Sequence, residues 1–593
     1  MTAVHGIRPA DRERGSMDWR LMPVAALVWA TALLCSWTGL GRLVGGATWM
    51  LWMIWAVGAA VTVALAACAA MVAMVAIGAA REGGHAMPQA IACYAAVAAA
   101  AVLAAGCSAC LHGWISSSNP VQRIVAASER GAYVGAAVRV NGPAVSSDRR
   151  GFDCRTDVVV TALQRDGVLT SSRAQARLYA VGDACVLEQG GDYWLRGKVE
   201  RPAFGSADAW LTVSEEVAPS LIRRPSLPLR AVRRMQAVFL QVTDGLDDQG
   251  RVLVPGLTIG MLGSEVADPS MRGGTAREPV DPAYARRLED AFRVSGIMHL
   301  MAVSGGHFAL VAVLARRLCG LLRVERPWMP AIVAGSYAPL AALMAPSDSV
   351  LRAMAMGFMG ALALLIGRRS QGMSMLCVTA TGVIIIRPGM ASSLGFALSC
   401  AAVAGIILWA EPIAGGLSRI MPAALAEAIG VTVAAQIPAL PLQALMDPDL
   451  PVLGVLANLL TAPVVCLATL AGLLGLAVSW LAPSAGFCCA WVASRGTRVM
   501  EAVALWIAES PFAVLPWGKG PAAAIALAGC EAAAMLAVRW AFRRRARRRG
   551  AAREDSACDG PGGDGGAEYR PSPSERVGAW LEETRRMLST DAA

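Results

Sequence analysis

The chain has 593 residues, 56% of them hydrophobic and only 16% charged, with a formal net charge of +10. A soluble domain carries roughly 25% charged residues, so this chain lacks the side chains to clothe a water-facing surface. With aromatics at only 6%, the aliphatic excess excludes a soluble enzyme, a disordered regulator and a disulfide-stapled secreted scaffold, and it leaves a polytopic membrane protein.

Residues 1–20 hold Arg8, Arg12, Arg14 and Arg20 and read as a cytoplasmic N-terminus. A spanning helix needs roughly 20 predominantly apolar residues. Within 21–112 such stretches predict membrane helices over 22–42, 48–78 and 88–111. The first is an anchor, because no small-residue cleavage site precedes the next apolar run. From 113 to 230 the chain turns polar. Short β-type stretches around Val138, 157–160, 177–179, 185–187, 193–195 and 210–213 alternate with turn chemistry such as Asn141-Gly142-Pro143 and Arg165-Asp166-Gly167. Five or six short strands suggest a small β-barrel of oligonucleotide-binding (OB-like) type, with any small β-domain used as a lid as the other reading. The same stretch has 15 basic against 12 acidic side chains, which permits contact with nucleic acid without arguing for it.

Residues 231–296 form a connecting region with amphipathic helices. Apolar stretches return over 297–541 and predict about nine further spans, of which 373–386 is short. The fold class is therefore an α-helical polytopic membrane protein of about 12 spans with an inserted extracytoplasmic β-domain. Residues 542–593 carry the basic cluster Arg543-Arg544-Arg545-Ala546-Arg547-Arg548-Arg549 and a largely disordered tail with one amphipathic stretch at 574–588. Basic clusters stay on the cytoplasmic side, so the tail is inside and the region 113–230 outside. Cys154 and Cys185 are the only cysteines of that outer region, and an extracytoplasmic compartment permits a disulfide between them. Cys107 and Cys110 form a CxxC without a second pair, a weak signal.

Polar residues inside spans are costly and therefore informative. His299, Ser304, Gly305 and His307 cluster at the start of one span, with Ser304 and His307 three residues apart. Further polar candidates along the apolar half are Ser349, Arg352, Ser399, Gln436 and Asn458. Arg352 can contact a phosphate as a two-pronged donor or pair with a carboxylate such as Asp348. Gln436 precedes Pro438, which interrupts a helical ladder.

The segment from His299 to His307 resembles the signature of the ComEC family of competence proteins, which carry DNA across the bacterial cytoplasmic membrane during transformation. Pro255-Gly256-Leu257 with Gly260, Ser349-Val350-Leu351-Arg352-Ala353, Gly395-Phe396-Ala397-Leu398-Ser399, Gln436-Ile437-Pro438 and Asn458-Leu459-Leu460 with Pro463 are similar to its further motifs, in the same order. The resemblance covers roughly 120–510. Ala397 departs from it, standing where the family usually has Gln, and Gly306-His307-Phe308 is a variant ending. Many members end in a metallo-β-lactamase-like domain, but no His follows His307, so a short form without that domain is expected.

The resemblance implies a channel for single-stranded DNA in the bacterial inner membrane, with the polar candidates above along the path and Gly395, Phe396, Pro438 and Pro463 as structural motif residues. It implies no enzyme activity, no cofactor and no metal. The partners it implies are DNA, the cytoplasmic membrane, a DNA receptor outside, an ATP-driven helicase or translocase inside, and a second copy of the chain as homo-oligomer. No GxxxxGK[ST] phosphate loop occurs, so ATP hydrolysis belongs to another subunit. The alternatives are a membrane-embedded hydrolase using Ser304 with His307, and a small-solute transporter.

Overall fold

The structure, a computed structural model, describes residues 19–38, 87–128, 131–202, 207–213, 219–268, 271, 280–325, 327–367 and 371–558. The chain divides into two units, Met1–Ala528 and Gly529–Ala593.

In the first unit, α1 (Met22–Trp37) and α2 (Met87–Ser118) precede a short helix α3 (Pro120–Ala127). Seven strands follow: β1 (Ala132–Val140), β2 (Val145–Ser146), β3 (Cys154–Arg165), β4 (Val168–Ala180), β5 (Asp192–Glu200), β6 (Ala209–Val213) and β7 (Ser220–Arg223). Alternation decides which side is buried. Val134, Ala136, Val138 and Val140 of β1 and Tyr193, Leu195 and Val199 of β5 face one core, while Tyr133, Arg139 and Arg196 face outward. Asp166 and Gly167 both take positive φ, 51° and 81°, the two-residue turn that suits the twist of a β3–β4 hairpin.

The strand order is β1-β3-β4-β6-β5-β7, with β2 on β3 and an additional β1–β5 pairing; β4 and β6 are parallel. The region is a small β-sheet domain. A strand expected at 185–187 is absent: residues Gly182–Cys185 form a 3₁₀ turn closed by Ala184 N–H to Val181 O and Val186 N–H to Asp183 O. Those i→i+3 bonds use the donors that a strand would offer to a neighbour.

The connecting helices are α4 (Leu227–Thr243), α5 (Asp248–Ile259) and α6 (Pro282–Val294). Ala267 N–H donates to Ala144 O at 3.1 Å and Val145 pairs with Val266, so the chain after α5 is stitched to the β-domain. Arg233 of α4 adds ion pairs to Glu188 and Asp268.

The apolar half comprises α7 (Gly305–Leu321), α8 (Met329–Leu343), α9 (Asp348–Leu365), α10 (Gly372–Ile386), α11 (Leu394–Leu417), α12 (Ala423–Gln443), α13 (Gly454–Ser479), α14 (Pro483–Ala508) and α15 (Pro521–Cys558). The last helix begins in the first unit and continues into the second. Short strands β8 (Asp449–Pro451) and β9 (Val514–Pro516) pair before it. Leu318, Leu365, Leu467 and Leu474 are each more than half exposed, a pattern that lipid, rather than water, accommodates.

Among the described residues, seven helices are long and apolar enough to cross a membrane: those at Tyr94–Ser118, Met298–Leu321, Asp348–Leu365, Leu394–Leu417, Ala423–Gln443, Gly454–Ser479 and Pro521–Val538. α1, α8 and α10 are apolar but only 15 or 16 residues long. Among the described residues the sequence reading of about 12 spans is thus not confirmed. One reason lies in α14, which has 26 residues but carries Arg495, Arg498 and Glu501 near its middle. The stretch 48–78 lies outside the described residues, as does the tail stretch 574–588.

Candidate functional site

Three helices of the apolar half begin with the same device. Ser304 caps α7, accepting from Gly306 N–H at 3.3 Å; Ser347 caps α9, accepting from Val350 N–H at 3.3 Å; Ser393 caps α11, accepting from Phe396 N–H at 3.2 Å. Serine at this position satisfies amides that the helix itself leaves without acceptors. Ala345, just before α9, donates its N–H to Ile259 O at 2.8 Å, and Leu343 and Ala345 share an apolar cluster with Val145 of β2. The start of α9 therefore lies at the end of the bundle that adjoins the β-domain.

His307 is the third residue of α7 and 4% exposed. Its Nδ1 accepts from the Ser304 backbone N–H at 3.3 Å, and its Nε2 lies 2.9 Å from Leu257 O. An acceptor role at Nδ1 puts the proton on Nε2, which then donates to the carbonyl. The ring is a neutral clamp between α7 and α5. Ser304 and His307, three residues apart, close a reciprocal cap in which the serine hydroxyl accepts from the Gly306 amide.

Arg352 is 5% exposed. Its Nε donates to Ser399 Oγ at 2.7 Å, and its Nη1 lies 3.3 Å from Met356 Sδ. Ser399 Oγ in turn lies 3.3 Å from Ser349 Oγ, so Ser349, Arg352 and Ser399 meet as one group. Asp348, the carboxylate considered as a partner for Arg352, turns elsewhere. It accepts from Ser393 Oγ, and a Cβ built on Gly395 would lie 3.0 Å from its Oδ2. Gly395 thus leaves room for a carboxylate at the N-terminus of α11, where negative charge is stabilised. Gly305 lies beside the guanidinium: a Cβ there would come within 3.3 Å of Arg352 Nη2.

A second group forms where α12 meets α13. Asn458 donates from Nδ2 to Gly454 O at 2.9 Å, and a Cβ on Gly454 would lie 2.8 Å from Gln436 Nε2. Pro438 sits inside α12 against Gly405 of α11. Pro463 lies inside α13 and is exposed. His299 stands apart from both groups, exposed, with Nδ1 held 3.0 Å from Gly296 O. Phe396 is fully buried and stacks on Trp29 of α1, ring centroids 5.4 Å apart. The caps at Ser347 and Ser393 escaped the sequence reading. Their signal was available as a serine directly before an apolar helical run.

On the β-domain, Cys154 and Cys185 are bonded, with Cα atoms 5.9 Å apart. A cleft of about 600 Å³ is lined by Tyr133, Gln164, Arg165, Arg196 and neighbouring backbone. Elsewhere on the domain, desolvation works against the Glu200 charge, but hydrogen bonds from Lys198 and Arg149 outweigh it and hold the carboxyl below its usual range. Among the described residues no group of three or more His, Cys, Asp or Glu is placed to hold a metal ion.

A model of the competence protein family matches residues 283–543, the stretch that contains α7 to α14, both polar groups and the start of the C-terminal helix. Over 283–543 the chain is similar to the competence protein family. No curated protein and no solved structure matches it. The match relates this stretch to proteins of natural competence, in a chain whose described helices suit a membrane. It also gives the polar residues of the competence domain a shared context: Ser349, Arg352 and Ser399 come from two separate family-like motifs and meet in one place.

Proposed function

We propose that the protein is the channel through which a single DNA strand crosses the bacterial cytoplasmic membrane, with the β-domain outside and the C-terminus inside. The observation that carries this reading is the competence-family match over 283–543. A strand carries one charge per phosphate, and hydrocarbon offers such charge nothing, so a conduit must supply polar groups along its length. Arg352, Ser349 and Ser399 supply them near one end, and Gln436 and Asn458 form a second step.

On the β-domain, the pairing of β5 with β1 as well as with β6 and β7 favours an OB-like arrangement of strands. Exposed Tyr133 with Arg165 and Arg196 offers a ring for stacking and two guanidinium groups for phosphates. The Cys154–Cys185 bridge suits an extracytoplasmic setting, and the arginines of 543–549 favour a cytoplasmic C-terminus. A DNA receptor outside and an ATP-driven motor inside complete the path. The protein itself performs no catalysis in this reading. The Ser304 hydroxyl and the His307 ring are both engaged with backbone groups, which lends the hydrolase alternative no nucleophile–base pair.

The test is a deletion strain in a competent host, assayed for DNA bound at the surface and DNA recovered inside. Normal binding with lost internalisation is the expected result. Undiminished transformation overturns the reading.

A further inference from the structure

The starts of α7 and α11 are treated in opposite ways. At α11, Asp348 sits over the first turn and takes up its positive end. At α7, the neighbouring charge is the Arg352 guanidinium, with Nη2 against Gly305. A cation at a helix N-terminus is unfavourable, since both carry positive potential. Arg352 is 95% buried, and among the described residues no carboxylate is in ion-pair reach; its neighbours are a hydroxyl, a thioether and the Cys400 thiol. His307, the remaining titratable group, is tied to backbone at both nitrogens. Neither Arg352 Nη2 nor the Gly305 N–H has a hydrogen-bond partner among the described residues. Ser304 and Gly306 beside them are exposed, so the spot has an open side.

Gly305 adds an independent observation. Its φ is not positive, so the backbone there would accept alanine. What a Cβ would meet is Nη2, at 3.3 Å. The missing side chain lets the guanidinium lie against the first turn of α7 and serves no conformational need.

We propose that the first turn of α7 and Arg352 form a binding station for one phosphodiester group of the passing strand, with the Gly305 amide and Arg352 Nη2 as its donors. The anion resolves the adverse pairing of cation and helix end, as a carboxylate already does at α11. The proposal deepens the channel reading and rests on it for the identity of the strand; the anion chemistry stands on the geometry. Ser399 is a positioning residue that holds the guanidinium through Nε.

The experiment uses the full chain purified in detergent, with inorganic phosphate as the probe and the melting temperature as readout, alongside transformation frequency in the host. Phosphate should raise the melting temperature of the native protein. The shift should be lost in Arg352→Gln and in Gly305→Ala, with apparent phosphate affinity at least about tenfold weaker. Without phosphate, both variants should melt at or above the native temperature, because one loses an unpaired buried charge and the other gains helix propensity. Both should transform at least about tenfold less well at normal membrane level. Equal phosphate shifts in all three proteins overturn the station, and so does a lower melting temperature of Arg352→Gln without phosphate. If deletion abolishes uptake while the native protein ignores phosphate, the station falls and the channel reading stands. If phosphate binds as described but the deletion strain transforms normally, the channel reading falls and the anion site stands.

Discussion

The β-domain and the helical bundle handle positive charge differently. In the β-domain, Arg139 meets Asp192 at 2.7 Å, Arg149 meets Glu200 at 3.0 Å, Arg155 meets Asp148 at 2.7 Å and Arg177 meets Asp157 at 3.2 Å, all at least partly exposed. In the bundle, Arg352 is buried with a hydroxyl and a thioether. Pairs at the water's edge are cheap and add little, roughly 0–1 kcal/mol each. A buried charge without a counter-ion costs several kcal/mol even after relaxation. The first arrangement serves the fold; the second leaves a buried charge without a counter-ion among the described residues. The bundle shows that it has neutral solutions to hand: Gln249, Ser494 and Thr497 bridge α5 and α14 as a buried uncharged network.

Substitutions can break this contrast in order of size. Phe396→Ala removes a fully buried ring from the packing of α11 on α1 and should cost about 3–5 kcal/mol. The loss should appear as reduced protein level in the membrane, with the β-domain as resistant to protease as before; selective cleavage within 132–223 would contradict the separation of the two regions. Cys154→Ser opens a link across a sequence separation of 31 and should cost about 3–4 kcal/mol by chain entropy. Hydrogen exchange should place that loss in β1 to β6, leaving the bundle amides unchanged.

His307→Ala leaves Leu257 O and Ser304 N–H without their bonds to the ring, a cost of about 1–3 kcal/mol for the buried carbonyl. His307→Gln keeps an amide donor for the carbonyl and should recover part of the protein level. Full recovery of transformation by Gln would fit a clamp, whereas a protein at normal level that stays inactive would place the ring in the path itself.

The smallest effect is with pH. The folded-state value of Glu200 lies below its ordinary 4.5, so its contribution is whole above 4.5 and is lost as pH falls through the lowered value. Glu265, at the seam with the bundle, is raised by burial against the opposing bond from Leu262 N–H. Its contribution is whole below 4.5 and is lost as pH rises through the raised value. Thermal scans of Glu200→Gln and Glu265→Gln should therefore flatten opposite sides of the stability profile. Matching changes on one side would refute the assignment.

Much of the architecture was legible in the residues themselves. Long apolar runs marked most of the helices, and Arg165-Asp166-Gly167 marked a hairpin whose two turn residues do take positive φ. Span number was less legible. Length and hydropathy trade off continuously in helices such as α1 and α10, and the charges of α14 sit inside a run that otherwise looks apolar. The strand read at 185–187 failed because local β-type composition carries no information about whether a neighbour is free to pair.

The candidate site divides along the same line. Composition determined that the protein belongs in a membrane, and ordered motifs pointed to the competence family. Residue chemistry nominated Arg352, His307 and Gln436 because polar groups in apolar runs are expensive wherever they point. Tertiary structure alone decided the direction of each. It turned His307 onto two backbone groups, sent Asp348 to α11 instead of to Arg352 four residues away, and set Gly305 against a guanidinium 47 positions further along the chain. The cost of a polar residue is local and can be read from the chain, but its partners are fixed by packing between helices far apart in sequence.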